Sequence, residues 1–335
     1  MANVKLAIEL DSLTTNIYAL GSGLVLSEPT VATIDLEDKE EVKLYGEDAK
    51  KLIGKTAKNT KIVFPMFEGE IVNQAVATGL LKKYLEKLQI KTTLIGAQVI
   101  FPVPCGVTAD MLDKYKKLAK DCGLGKVYFA ETPILSALGQ RIPLNDSSPC
   151  FVIDMAGGVT NIGAVSLDGV IAGVSVNLGA NNINVDIMDY VAEAYGLQIG
   201  LLSADKLRNE IGSLAENDGL TAVINGRDLK TGAPKSIAIK AVDVQKPIKK
   251  YYDKIFEYAV SVLTKLPPEV SAEVRRAGIY LSGMASRVYG LEDYYAKKFD
   301  IKINVAENGQ YSVVLGAGMA IGSSPLLKKV MLSSK

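Results

Sequence analysis

Residues 151–176 contain side chains whose types and spacing could do chemistry. A short apolar run ends at Asp154, and a tight turn through Gly157 and Gly158 leads into a second apolar run. This pattern predicts a β-meander with a sharp hairpin over residues 156–160. Glycine turns let backbone N–H groups approach a phosphate, and a strand-end aspartate can hold a metal ion, usually through water, as Mg²⁺ prefers. The alternative is an ordinary glycine-rich hairpin that ends a strand.

The elements that must position this turn follow an alternating pattern along the chain. Short strands are predicted over residues 4–10, 16–19 and 24–26, so the first half opens with a meander like the one at 151–176. Strands alternating with helices indicate an α/β fold. Two halves without an intervening linker are expected to face each other across one cleft. Helices are predicted over residues 71–88, 109–122 after an N-cap at Thr108, 184–195, 203–211 with Ser203 as N-cap, 247–266, 292–299 and 315–322.

The composition excludes several classes of function. The 335 residues are enough for two domains, and 38 Lys and Arg against 37 Asp and Glu leave no basic field for nucleic acid, so no nucleic-acid partner is predicted. The absence of histidine excludes Ser-His-Asp chemistry within the chain and the usual Cys/His zinc sites. The 3 scattered cysteines indicate free thiols in a reducing compartment. With neither a signal peptide nor a transmembrane segment predicted, a cytoplasmic location is expected.

Several segments, in order along the chain, resemble landmarks of one protein family. They include the glycine turn and Val-Pro-Cys-Gly-Val-Thr at 103–108, together with residues 131–139, 209–212, 226–229 and 232–236. In this order and spacing they resemble the MreB-like bacterial actins, within the actin, Hsp70 and sugar-kinase ATPase superfamily. The resemblance extends over nearly the whole chain.

The resemblance implies an actin-like ATPase fold with two duplicated α/β domains that face a nucleotide cleft. The first domain would comprise residues 1–138 and 315–335, with an insert at about 31–64. The second would comprise residues 139–314, with an insert at about 177–247.

The resemblance also implies a site that binds ATP or ADP with Mg²⁺ and transfers a phosphoryl group to water. Asp154 and Glu9 would lie on the metal side. Asp205 and Arg208 would hold the ribose and adenine; the alternative for this pair is a solvated salt bridge between positions i and i+3 of a helix. The nucleotide-binding residues implied are Glu9, Asp11, Ser12, Thr14, Thr15, Gly157, Gly158, Thr160, Asp205, Arg208, Ser282, Gly283 and Met284.

The chain departs from the family pattern at several positions of this implied cleft. Asp11 replaces a glycine of the first phosphate loop, where it would repel a polyphosphate by roughly 4 kcal/mol at about 4 Å. Val159 replaces a hydroxyl in the second loop, and Met284 replaces a glycine in the adenosine loop. Thr132 occupies the position of the glutamate that orients the lytic water, and Glu131 would substitute if the register is off by one. Together with Asp154, Thr132 and Glu131 are the candidate catalytic residues, and slow or absent hydrolysis is predicted.

Residues 91–96 contain a second candidate site. Leu94 and Ile95 follow a lysine at a position where MreB-like proteins insert a loop into the membrane surface. The alternative is that both side chains begin the next strand and belong to the core. The membrane interpretation implies marginal binding by one monomer and stronger binding by a filament.

The resemblance therefore implies a filament-forming cytoskeletal protein that binds ATP and Mg²⁺ and whose partner is further copies of itself. Cell shape or intracellular organisation would be its role. Alternatives are a sugar or acetate kinase-like enzyme, for which no clear substrate base is found, and a non-hydrolysing pseudo-ATPase that acts as a regulator.

Overall fold

The structure, a computed structural model, describes residues 4–37, 41–90, 97–144, 148–215 and 219–332. Strands and helices alternate within these ranges, as the sequence predicts. The first part contains β1 (Lys5–Leu10), β2 (Thr14–Ala19), β3 (Gly23–Pro29), β4 (Ala32–Asp35), β5 (Val42–Tyr45), α1 (Gly46–Lys50), β6 (Thr60–Val63), β7 (Met66–Phe67), β8 (Glu70–Ile71), α2 (Gln74–Lys87), β9 (Gln98–Val103), α3 (Ala109–Asp121), β10 (Lys126–Glu131) and α4 (Thr132–Gly139). The second part contains β11 (Cys150–Met155), β12 (Thr160–Ser166), β13 (Gly169–Val176), α5 (Ala180–Tyr195), β14 (Leu197–Gln198), α6 (Leu201–Ile211), β15 (Thr221–Asp228), β16 (Pro234–Lys240), α7 (Ala241–Leu263), α8 (Pro268–Ala277), β17 (Ile279–Ser282), α9 (Leu291–Phe299), β18 (Ile303–Val305), α10 (Ser312–Gly322) and α11 (Ser324–Val330).

Two five-stranded sheets with the same layout form the centre of the molecule. Their strand orders are β3-β2-β1-β9-β10 and β13-β12-β11-β17-β18. In each sheet the first three strands form an antiparallel meander, and the last two run parallel to the central strand. The two strand patterns that resemble each other in the sequence therefore fold into matching sheets.

The hairpins β1–β2 and β11–β12 match in register as well as in topology. Glu9 pairs with Asn16 in the first hairpin, and Asp154 pairs with Asn161 in the second. We call residues 11–14 the first turn and residues 156–159 the second turn. Each turn is closed by a 3.0 Å hydrogen bond from the N–H of its first residue to the carbonyl of its fourth. The two hairpin ends thus share their register and their closing hydrogen bond.

Helices α4 and α10 cross between the sheets at a very short distance. A Cβ on Gly139 would lie 1.8 Å from the carbonyl oxygen of Ser312, and a Cβ on Gly316 would lie 1.8 Å from that of Leu135. The two glycines therefore permit a contact that a side chain would block. The buried residues of both helices belong to one hydrophobic cluster with residues of β1 and β11, which joins the sheets below the turns.

Each half carries a small additional sheet, with strand order β5-β4-β6 in the first and β14-β15-β16 in the second. These sheets lie within the residue ranges of the predicted inserts. The domain boundaries themselves stay predictions.

Five predicted helix starts differ from the structure: α2 begins three residues later than predicted, and α5, α6, α7 and α10 begin two to six residues earlier. Helix α6 begins at Leu201 with Gly200 as N-cap, so Ser203 lies inside it. Helix α7 begins at Ala241, and Pro247 lies within its first two turns because Val244 and Ile248 are buried in the core of the second half, where packing outweighs the cost of the proline. The predicted cap at Thr108 is confirmed, since its hydroxyl accepts a 3.3 Å hydrogen bond from the N–H of Met111.

Candidate functional site

The first and second turns meet at the base of a cleft between the two sheets. Residues of both turns and of the β11–β17 edge surround a narrow cavity of about 10 Å³. We call the part of the cleft around this small cavity the neck. Above it lies a larger cavity of about 570 Å³, lined by both halves. Thr14 and Met284 line both cavities. The carboxyl ends of the central strands and the turns that follow them therefore form the floor of one continuous cleft.

Asp11 joins the two turns directly. Its Oδ2 accepts a 2.9 Å hydrogen bond from the N–H of Gly157 and a 3.2 Å bond from that of Leu13, and its Oδ1 accepts a 3.2 Å bond from the N–H of Gly158. Burial raises the pKa of this carboxyl, and the backbone hydrogen bonds oppose that rise. The two glycine amides predicted to face a phosphate thus face an aspartate of the same chain.

Asp154 is the most deeply buried acid of the cleft, with 1% of its surface exposed. The hydroxyl of Ser282 donates to its Oδ1 at 2.6 Å, whereas Oδ2 has no hydrogen-bond partner. Burial raises the pKa of Asp154 to about 7, and the nearby Asp11 charge adds to the rise. An unpaired carboxylate oxygen in this position is costly without a cation or a proton.

Glu9 lies on the opposite side of the neck and is partly exposed to the cleft. The Asn16 side-chain amide donates to its Oε2 at 2.9 Å. Burial raises the pKa of Glu9 to about 8; the hydrogen bond from Asn16 lowers it, and the charges of Asp154 and Asp11 raise it further. Three acids therefore share one neck, and no described Lys or Arg forms an ion pair with any of them.

Buried polar atoms without partners concentrate here. Seven such side-chain atoms occur in the described residues, and six of them come from the two hairpins or from the helices beside the second turn. Buried polar groups are normally paired, so a cluster of exceptions indicates a place for a ligand, a metal ion or water. The six atoms are Ser12 Oγ, Asn16 Oδ1, Asp154 Oδ2, Asn181 Oδ1, Asn184 Oδ1 and Arg208 Nε.

The donor set at the neck suits a hard cation. Asp154 Oδ2 and Asn16 Oδ1 are unpaired oxygens, and Glu9 lines the same small cavity. Asp, Glu and Cys side chains of the described ranges form no cluster of three or more that would hold a metal unaided. Mg²⁺ is commonly held by one or two carboxylates together with water and substrate phosphates, so these residues fit that ion.

Asp205 and Arg208 line the wall of the larger cavity. Arg208 Nη2 donates to Asp205 Oδ1 at 2.5 Å. The Arg208 side chain is only 9% exposed and that of Asp205 only 24%. The amide of Asn184 also reaches Asp205 Oδ1, at 3.5 Å. The pair is therefore not a solvated bridge on an outer helix face, and Arg208 Nε keeps an unused donor.

The segment after β17 forms another wall of the neck. Ser282 is buried and bonds both Asp154 and the hydroxyl of Ser136. Gly283 has φ of 85°, and a Cβ there would lie 2.3 Å from the carbonyl oxygen of Met155, so only glycine fits.

Four predicted site residues direct their side chains elsewhere. The hydroxyl of Thr160 donates to the carbonyl of Leu178 at 2.6 Å, and that of Thr132 donates to the carbonyl of Val103 at 3.0 Å. Glu131 and Thr132 do not line either cavity. Glu131 Oε1 accepts a 3.3 Å hydrogen bond from the N–H of Gly106. The hydroxyls of Thr15 and Thr30 form a 2.9 Å hydrogen bond. The catalytic roles of Thr132 and Glu131 stay predictions.

Asn16, which lines the small cavity, is a residue that the sequence-based prediction missed, and Asn161 occupies the matching place in the second hairpin. Each lies opposite the acid of its own hairpin, Glu9 or Asp154. The signal was present, because Thr-Asn-Ile occurs at residues 15–17 and again at residues 160–162, at matching places in the two meanders.

The predicted membrane loop with Leu94 and Ile95 lies outside the described residues. None of the helices in the described part of the chain combines the length and hydropathy that a membrane span needs.

Comparisons with known proteins identify the family and the fold. Residues 3–329 match the MreB/Mbl protein family. The chain is 27% identical over 331 residues to the cell shape-determining protein Mbl of Bacillus subtilis, with 98% of each chain covered. It is 27% identical over 326 residues to the cell shape-determining protein MreB of Escherichia coli K12, covering 96% of this chain and 94% of the relative.

Two solved structures have a similar fold. MreB5 of Spiroplasma citri bound to ADP superposes with a TM-score of 0.89 at 25% identity, covering 95% of this chain and 96% of that one. The MamK double helical filament has a TM-score of 0.80 at 17% identity, with coverage of 96% and 99%, a likeness of fold. The predicted actin-like fold and the predicted family are confirmed: the chain belongs to the MreB/Mbl family.

Proposed function

We propose that this protein is an actin-like cytoskeletal protein that polymerises into filaments and binds an adenine nucleotide with Mg²⁺ in the cleft. One observation carries the nucleotide part of the proposal: unpartnered buried polar atoms cluster where two matching hairpins meet beneath a cavity of about 570 Å³. Structures of MreB5 with ADP and with AMPPNP support it. Cell shape or intracellular organisation is the proposed role, by analogy with Mbl and MreB.

The proposed site divides into a metal end and a nucleoside end. Asp154, Asn16 and Glu9 would hold Mg²⁺, which supplies charge neutralisation for the phosphates when bound. The N–H groups of Gly157 and Gly158 would face a terminal phosphate once Asp11, which now accepts from both, gives them up. Asp205, Arg208, Ser282, Gly283 and Met284 would enclose the ribose and adenine. Thr14, which lines both cavities, and Ser12, which lies beside Gly158, would border the phosphates from the first hairpin, whereas the hydroxyl of Thr15 bonds Thr30.

Hydrolysis by this site is proposed to be slow. The hydroxyl of Thr132 is taken by a backbone carbonyl, and Glu131 lies outside the cavity lining. The acids at the neck, which lie beside the glycine amides, are assigned by the proposal to the metal. The comparisons give no support to the kinase-like alternative.

Filaments are proposed to grow by head-to-tail contacts between copies, because such contacts do not close on themselves. MamK, which has the same fold, forms a double helical filament. Cytoplasmic location and peripheral membrane contact belong to the same proposal. The membrane part has as its support only the sequence pattern that includes Leu94 and Ile95.

Negative-stain microscopy and sedimentation of the purified protein test the proposal. We expect filaments and a pelleted fraction with Mg²⁺ and ADP or AMPPNP. Protein that stays in the supernatant across nucleotide, salt and protein concentration would count against polymerisation. Phosphate release at rates typical of efficient ATPases would contradict slow hydrolysis while leaving polymerisation intact.

A further inference from the structure

The anion position of the second turn is occupied by this chain's own carboxylate. Both oxygens of Asp11 are used: Oδ2 by the N–H of Gly157 and Oδ1 by the N–H of Gly158, with Leu13 N–H as a third donor. Two successive glycine amides that converge on one anion are the arrangement that holds a phosphate oxygen. Asp11 therefore uses the donors on which the proposed phosphate contact depends.

The space around these donors is filled as well. A Cβ on Gly157 would lie 2.2 Å from Asp11 Oδ2 and 2.8 Å from the Leu13 side chain. A Cβ on Gly158 would lie 2.2 Å from Ser12 Oγ. A phosphate oxygen is larger than the gap that remains, so it can reach the amides of the second turn only if the first turn withdraws.

The charges near the second turn, like the lack of space, disfavour a phosphate there. Asp11 lines one small cavity with two further acids, Glu9 and Asp154, and none of the three has an ion pair with a described Lys or Arg. When Asp11 is ionised, a phosphate that reached the second turn beside it would add negative charge next to negative charge. The larger cavity differs in having cationic groups on its walls, Lys50, Arg208 and Arg287, alongside acidic ones.

We propose that Asp11 is a specificity-determining residue that takes the place of a terminal phosphate, so that the cleft prefers nucleoside diphosphates over nucleoside triphosphates. This inference rests on the proposed nucleotide binding and adds which nucleotide the site selects. A diphosphate can occupy the large cavity without displacing Asp11 from the glycine amides. A triphosphate must displace it and break the two hydrogen bonds that join the turns.

Asp11→Gly removes the internal anion, and Asp11→Asn keeps its size while removing its charge. Asp168→Asn is the matched control, because Asp168 lies in the exposed outer turn of the same meander, between β12 and β13. Mg-ADP and Mg-AMPPNP are titrated calorimetrically into each protein, at concentrations where ultracentrifugation leaves the chain in the supernatant. The melting temperature of each nucleotide-free protein is measured in parallel.

We expect the wild type and Asp168→Asn to bind Mg-ADP at least tenfold more tightly than Mg-AMPPNP. Asp11→Gly should raise the affinity for Mg-AMPPNP at least tenfold and that for Mg-ADP less than threefold, with Asp11→Asn in between. Asp11→Gly should also lower the melting temperature without nucleotide, because the two turns lose their bridge. A residue with a merely structural role would lower the melting temperature and leave the affinity ratio unchanged.

Two outcomes overturn the inference while the proposed function stands. One is a wild type with equal affinity for both nucleotides and a ratio that neither Asp11 variant changes. The other is weaker Mg-AMPPNP binding by both variants, which would make Asp11 part of the metal-binding side. If neither nucleotide binds the wild type or any variant, the proposed function itself fails, and the inference fails with it. Binding of Mg-AMPPNP by Asp11→Gly alone would support both.

Discussion

The first and second turns are built on the same backbone and carry opposite chemistry. Each follows an acid that pairs across the hairpin with an asparagine, and each is closed by the same 3.0 Å hydrogen bond. The second turn has two glycines at its centre and offers N–H donors. The first has Asp11, Ser12 and Leu13, and offers an acceptor that fills those donors. A duplicated fold therefore does not imply a duplicated function, because the side chains of one turn decide what the other can bind.

The largest effect on stability is expected when the second turn is made to resemble the first. Gly158→Leu introduces the residue type found at the matching position, Leu13. A Cβ there would lie 2.2 Å from Ser12 Oγ and 3.3 Å from the backbone nitrogen of Glu68. We expect the free energy of unfolding to fall by about 3 kcal/mol, because the crowded turns must separate. Urea unfolding of the nucleotide-free protein measures it.

Gly200→Leu is the control for that change, since a Cβ on Gly200 meets nothing within 4 Å. It should cost under about 1 kcal/mol. An equal loss in both variants would mean that the contact between the two turns is not what makes Gly158 necessary.

The acids that precede the two turns predict how stability depends on pH. Burial raises the pKa of Asp154 to about 7 and that of Glu9 to about 8, from ordinary values near 4. At pH values between the ordinary and the raised pKa values, Asp154 and Glu9 keep protons in the folded chain that they have lost in the unfolded chain. The free energy of unfolding should therefore fall as pH rises from about 5 to about 8, by on the order of 2 kcal/mol, and then level off. Asp154 carries most of this because it is 1% exposed, while Glu9 opens to the cleft.

Urea unfolding at intervals between pH 5 and 9 measures this dependence without nucleotide. Asp154→Asn should flatten the curve, and Asp168→Asn should leave it unchanged. A curve that rises over the same window would contradict burial as the dominant influence on these acids.

Much of the fold was predictable because its signals are local. Strand alternation, turn glycines and helical spacing lie within a few residues, and Thr108 was predicted as a helix cap from its own neighbours. The errors at α6 and α7 arose where core packing moved a helix start. The contact between Asp11 and Gly157 joins residues 146 positions apart, which no local pattern encodes.

The same reasoning explains which site residues could be predicted. Asp154 and the glycines of the second turn were identifiable by residue type and position, and Asn16 could have been found from the repeated Thr-Asn-Ile. The direction of a hydroxyl group could not be predicted, because it depends on a hydrogen-bond partner that is distant in the sequence. Thr160 illustrates this, since its hydroxyl bonds the carbonyl of Leu178 and the phenol of Tyr251.

Asp154→Asn also sharpens the difference between the two hairpins at the metal end. It keeps the side-chain size but weakens a carboxylate ligand whose Oδ2 has no protein partner. We expect Mg-ADP affinity to fall about tenfold, or about 1.4 kcal/mol, at pH 8. The nucleotide-free protein should be no less stable at that pH, since the buried charge is removed. Calorimetric titration measures the affinity, and unchanged affinity with a lowered melting temperature would make Asp154 a structural turn residue.

The smallest effect on nucleotide affinity is expected from a change in the wall of the larger cavity. Unlike the two turns, this wall should not distinguish a diphosphate from a triphosphate. Arg208→Lys keeps a positive charge but loses the planar guanidinium that holds Asp205 and carries the unused Nε donor. We expect Mg-ADP and Mg-AMPPNP to lose affinity alike, by roughly threefold or about 0.7 kcal/mol, with their ratio unchanged. Arg276→Lys, in an exposed pair with Glu273, is the matched control and should change neither affinity. A changed ratio would show that Arg208 contacts the phosphates, which would extend phosphate selection beyond the two turns. No change in either affinity would leave the Arg208–Asp205 pair as a structural bridge and would move the nucleoside to another wall of the cavity.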